Sequence, residues 1–106
     1  MTEWASKPPV RIQILNIIND FKKINELILD NYENITLINR FIEDVEMCLE
    51  ELKKESVSKT ILAIIKLIEK EFQRLRKLPM NNKTKLFWAE KTLTWANILQ
   101  HRAKLA

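Results

Sequence analysis

No glycine occurs anywhere in the 106 residues. Glycine supplies positive φ in tight hairpins, in bulges and in loops whose backbone closes around phosphate. A chain without it is poorly equipped for a β-rich fold. It also lacks what a Rossmann, P-loop or kinase-type phosphate loop is built from. The expectation is an all-α protein. Hydrophobic residues make up 46% and charged residues 30% of the chain, a balance that indicates a packed globule rather than disorder. The length suits a single domain.

Apolar spacing divides the chain into four helices, expected at about 8–30, 35–54, 57–78 and 82–104. In the first, Val10, Ile14, Ile17, Phe21, Ile24 and Ile28 recur at alternating steps of four and three, widened by Leu15, Ile18 and Leu27. Pro8 and Pro9 are pre-organised for its first turn, with Ser6 a competent cap. In the second, Ile35, Ile38, Ile42, Val45, Leu49 and Leu52 form the seam. The third carries Val57, Ile61, Ile64, Ile65, Ile68, Phe72 and Leu75, with Ser56 or Ser58 as cap and Pro79 as its stop. The fourth, capped by Asn81 or Asn82, presents Leu86, Ala89, Leu93, Ala96, Gln100 and Ala103, where the alanines allow close helix approach.

Two architectures fit this pattern. Asp30-Asn31-Tyr32-Glu33-Asn34 is a run of turn-formers, which favours a hairpin and a single-domain four-helix bundle. Yet Ile28, Asn31 and Ile35 keep the heptad phase, so one long helix from Val10 to Leu52 is the alternative. It would dimerise as a coiled coil, with Asn31 as a polar register position.

Charge is divided along the chain. Residues 1–55 hold 7 Lys/Arg against 11 Asp/Glu, whereas residues 56–106 hold 11 against 3. A basic half of this kind points to a polyanion partner, RNA or DNA, or to an oppositely charged protein. The basic run Lys66, Lys70, Arg74, Arg76, Lys77, Lys83, Lys85 and Lys91 concentrates the excess around Pro79. Arg74, Arg76, Lys77, Lys83 and Lys85 are the expected phosphate contacts. Trp88 and Trp95 lie seven apart and share a face, as an edge of the core or as a contact surface for bases or a partner.

Other constellations carry less chemistry. Glu43, Glu46 and Glu50 form a carboxylate stripe, but the second acidic motif of a helical pyrophosphatase is missing. His101 lacks the Glu-x-x-His partner of a di-iron bundle. No nucleophile, base and orienter set is recognisable, so neither a catalytic site, a metal site nor a cofactor is expected. Cys48 sits in an apolar helical pattern and reads as a buried structural thiol. The longest apolar run, Ile61 to Ile65, is far too short to span a bilayer, and a cytoplasmic location is expected.

The stretch Lys85-Leu-Phe-Trp88-Ala89-Glu-Lys91 through Arg102 resembles the last helix of the small all-helical subunit of type III CRISPR RNA-guided effector complexes. The likeness lies in a Trp-Ala pair between lysines, a continuing apolar seam and a terminal arginine. It implies a bundle that stacks along a guide–target duplex through basic faces. The chain departs from that family where an earlier helix often carries Asn-Gly-Leu. The expected function is a non-enzymatic accessory subunit lending a basic surface to a nucleoprotein complex. The alternative is a protein–protein module or self-assembling adaptor that makes no nucleic-acid contact.

Overall fold

In the computed structural model, residues 9–31, 35–55, 57–79, 81 and 83–103 are described. They form α1 (Val10–Asn31), α2 (Ile35–Lys53), α3 (Lys59–Arg76) and α4 (Lys85–Arg102), with no strand among them. Ser6, Pro8, Ser56 and Asn82 lie outside the described residues. None of the four helices is long and apolar enough to cross a membrane.

The helix ends follow local chemistry. Helix α1 begins beside Pro9, whose carbonyl accepts from the Gln13 amide at 3.0 Å. The Ser58 hydroxyl caps α3 by accepting from the Ile61 amide at 3.2 Å, satisfying a donor the first turn leaves open. The start of α4 departs from expectation. Thr84 holds the cap position, while the Asn81 side chain accepts from the Lys83 and Thr84 amides at 2.9 and 3.2 Å. Asn81 therefore shapes the turn before the helix and does not cap it.

The chain folds back between α1 and α2, which pack against each other, so the single long helix is excluded. Helix α1 also packs along α4, whereas α3 closes the bundle more sparsely against α2 and α4. Going round the bundle the order is α2, α1, α4, α3, with α1 and α3 on the diagonal. Ile17, Phe21, Ile24 and Ile28 of α1 are completely buried, as are Ile38, Val45 and Leu52 of α2. Ile35 is the exception to its seam and is exposed in the first turn of α2.

Four aromatic rings join three helices at the centre. Phe21 of α1 stands edge-on to Phe72 of α3 at 6.2 Å and tilts against Trp95 of α4 at 5.4 Å. Phe72 meets Trp95 and Trp88 edge-on at 5.6 and 6.3 Å. These edge-to-face arrangements place positive ring edges on negative ring faces. The small side chains of Ala89 and Ala96 are buried, and Asn25 of α1 reaches the Ala89 carbonyl at 2.5 Å.

Helix α4 corrects the sequence expectation most. Its buried face is Trp88, Ala89, Thr92, Trp95, Ala96 and Leu99, while Leu86 and Leu93 are exposed. Apolar residues surround α4 nearly completely, so two phases were available. Burying two indoles removes more apolar surface from water than burying two leucines. Thr92 is tolerated inside because its hydroxyl donates to the Trp88 and Ala89 carbonyls at 3.1 and 3.0 Å. Trp88 and Trp95 retain only 2% and 1% exposure, so both rings pack the core rather than forming an open face.

The two indoles differ in one respect. Trp95 Nε1 donates to Glu71 Oε1 at 2.7 Å, whereas the buried Trp88 Nε1 has no acceptor among the described residues. An unsatisfied buried donor costs about 1–3 kcal/mol. Both changes to Phe remove similar ring volume, but only Trp95→Phe also removes a charge-assisted hydrogen bond, so it is expected to cost about 1–2 kcal/mol more than Trp88→Phe. Urea unfolding of both variants measures the difference, and equal losses would contradict this assignment.

Candidate nucleic-acid interface

Helix α3 turns about 100° per residue, and its charges sort by that rotation. Ile61, Ile65, Ile68, Phe72 and Leu75 face inward. Lys59, Lys66, Lys70, Arg74 and Lys77 fall within an arc of roughly 80° on the opposite side. All five are exposed, and none forms an ion pair among the described residues. They make a ridge about 27 Å long at 1.5 Å rise per residue.

Why the ridge carries no negative charge follows from where the acids of α3 point. Glu69 lies on the α2 side and binds the Lys53 ammonium at 3.0 Å. Glu71 lies on the α4 side, accepts from Trp95 Nε1 and sits 3.9 Å from Lys91 Nζ. Both carboxylates are engaged by neighbouring helices, and the cations remain outside. Lys53 also approaches Glu50 at 3.2 Å. Hydrogen bonding to Glu69 first, then to Glu50, holds the Lys53 ammonium above its ordinary pKa.

The five expected phosphate contacts are thereby divided. Arg74 and Lys77 stand on the ridge. Arg76 is turned to the α2 side and pairs with Glu46. Arg74 and Arg76 are two residues apart and so face nearly opposite ways, which grouping by sequence proximity concealed. Lys83 is exposed in the turn before α4, at the same end of the bundle as Lys77, and Lys85 is half-buried at the helix start. Lys66 and Lys70 belonged to the wider basic run, whereas Lys59 was missed. The readable signal was the spacing 59, 66, 70, 74, 77, which keeps one face.

Among the described residues, the acidic half forms no matching surface of one sign. Of the stripe Glu43, Glu46 and Glu50, Glu46 is paired with Arg76 and Glu50 with Lys53. The outer face of α2 mixes Glu43, Glu50 and Glu51 with Arg40 and Lys54, and Lys54 reaches Glu51 at 3.5 Å. His101 is exposed near the end of α4, consistent with no more than a favourable dipole interaction.

One other cluster lies between α1 and α2. Carboxylate oxygens of Asp20 and Asp44 and the sulfur of Cys48 all lie within 4.8 Å of one another. Burial, then hydrogen bonding and charge repulsion from Asp44, push the Asp20 carboxyl up from 3.8 to about 7. Burial and the nearby carboxylates of Asp44, Asp20 and Glu51 push the half-buried Cys48 thiol up to about 11. At neutral pH the Cys48 thiol therefore holds its proton. The thiol is correspondingly unreactive.

Set against protein families, curated proteins and solved structures, the chain matches none of them.

The Asp20 carboxyl leads to a pH dependence. The folded state keeps its proton up to about pH 7, while an unfolded aspartate loses it near 3.8. The native state thus binds more protons in that window, and this group's contribution to stability falls as pH rises through it. Asp20→Asn is expected to add on the order of 1–2 kcal/mol at pH 7.5, after discount for partial solvent screening, and almost nothing at pH 4. Thermal unfolding of both proteins from pH 4 to 8 tests this, and a gain that is the same at every pH would refute it.

Proposed function

We propose that the protein is a non-enzymatic nucleic-acid-binding module, an accessory subunit whose α3 ridge lies along a phosphate backbone. The observation that carries this reading is the segregation of charge on α3. Five cations share the outer arc, and both acids of the helix are engaged by neighbouring helices. A merely solvated helix face has no need of one sign throughout, and mixed charges serve solubility better. Convergent positive charge is what a repeating anion requires, and release of counterions supplies much of the binding energy.

This reading keeps the partner class of the sequence expectation and moves the surface. The contacts become Lys59, Lys66, Lys70, Arg74 and Lys77, with Lys83 extending them beyond the helix end. Arg76 is assigned to the α2–α3 junction. The CRISPR resemblance bears less on binding, since two residues that carry it, Trp88 and Ala89, serve to pack the core. The alternative of self-assembly through the acidic half is weakened by the mixed charge on the outer face of α2.

Binding to an oligonucleotide is expected to weaken steeply with salt, with a log–log slope of about −3 for a single strand if four or five phosphates are engaged. The triple variant Lys66→Glu, Lys70→Glu, Lys77→Glu should lose at least about tenfold in affinity and flatten the slope by about 2. Arg76→Gln should leave the slope unchanged and lower stability by under about 1 kcal/mol, the usual worth of an exposed ion pair. Fluorescence anisotropy from 25 to 300 mM salt measures these outcomes. An affinity indifferent to salt, or to the triple reversal, would exclude the ridge.

A further inference from the structure

On the α4 side of the ridge, a cleft of about 280 Å³ opens between α3 and α4. Leu75, Leu78 and Trp95 give it apolar walls, and Phe87 of α4 lines it while remaining 46% exposed. Arg74, a member of the ridge, and Lys91 also line it. Lys91 Nζ stands 5.8 Å from the centroid of the Phe87 ring. The Glu71 carboxylate in the same cleft is already engaged by Trp95 Nε1 and Lys91, so two cations face one paired acid.

We propose that this cleft receives one unpaired base of a single-stranded nucleic acid whose phosphates follow the α3 ridge. The inference rests on the reading of the ridge given above. A half-exposed aromatic ring is a stacking platform for any base, and stacking needs no particular sequence. The flanking cations meet the phosphates on either side of that base. The cleft lies just below the roughly 300–1,000 Å³ of pockets for drug-sized ligands, a size for a single heterocycle. A duplex keeps its bases paired and stacked, so it reaches the ridge and not the cleft. An acidic peptide could place an apolar side chain here. The unbroken positive arc running on from Arg74 to Lys59 instead matches an anion that repeats at every unit.

The test separates phosphate from base. Wild-type protein is titrated with a single-stranded oligonucleotide carrying 2-aminopurine, with a duplex, and with inorganic polyphosphate as a base-free competitor. The single strand should bind roughly tenfold more tightly than polyphosphate, with quenching of the 2-aminopurine. Phe87→Ala should lose the quenching and roughly tenfold in single-strand affinity, while polyphosphate binding is unchanged. Phe87→Trp should restore both. Since Phe87 is half-exposed, the helical circular dichroism of both variants should match wild type. Single-strand binding that needs the ridge but ignores Phe87→Ala overturns this inference and leaves the ridge intact. Failure of the wild type to bind any of the three probes overturns both. Phe87-dependent capture of an acidic peptide, without Phe87-dependent binding of the oligonucleotide, overturns it in favour of a protein partner.

Discussion

The hydrogen bond from the Trp95 indole to Glu71 links the interior of this bundle to its surface. The indole packs between Phe21 and Phe72, so its position is set by rings from α1 and α3. Its N–H emerges at the α3–α4 junction, where it meets a carboxylate at 2.7 Å. That contact satisfies a buried donor and orients an acid, and both effects matter on the outside. Glu71 is held on the α4 side of α3, where it and Trp95 both line the cleft.

Charge segregation on α3 follows from helical spacing, and packing pairs the acids that lie beside the arc. Glu69 and Glu71 flank the outer arc on its two sides, and each is claimed by a neighbouring helix. Exposed pairs of this kind contribute little to stability, typically 0–1 kcal/mol. Their larger effect is on the field: the acids are neutralised where they stand, and the five outward cations act together. Sparse packing of α3 against α2 and α4 leaves the adjoining cleft, so one helix provides both charge and an opening. The Asp20–Asp44–Cys48 group on the far side of the bundle places like charges together at the α1–α2 junction, and burial resolves the conflict by protonation.

Helices α1, α2 and α3 were legible because each has one continuous apolar stripe that outweighs the few apolar residues outside it, such as Ile12, Met47 and Leu67. Only Ile35 departs from the stripe of α2, at a helix start where the chain is entering the bundle. Helix α4 was legible as a helix but not in its rotation. With Leu86, Phe87, Leu93 and Ile98 competing with Trp88, Trp95 and Leu99, periodicity alone gives no preferred face. The basic surface was partly legible for the same geometric reason. Lys66, Lys70, Arg74 and Lys77 keep a helical spacing, whereas Arg76 was grouped with them by proximity along the chain.

By itself, the amino-acid sequence determined an all-helical fold, because a glycine-free chain with 3.6-residue periodicity has few other ways to satisfy its backbone. It also determined that positive charge would gather on the second half. Only tertiary structure decided which way α4 turns, since that depends on fitting two indoles among Phe21 and Phe72. The same packing decided which cations face solvent and which meet acids from another helix. Pairing between helices depends on distances across the bundle, and a linear pattern does not contain them.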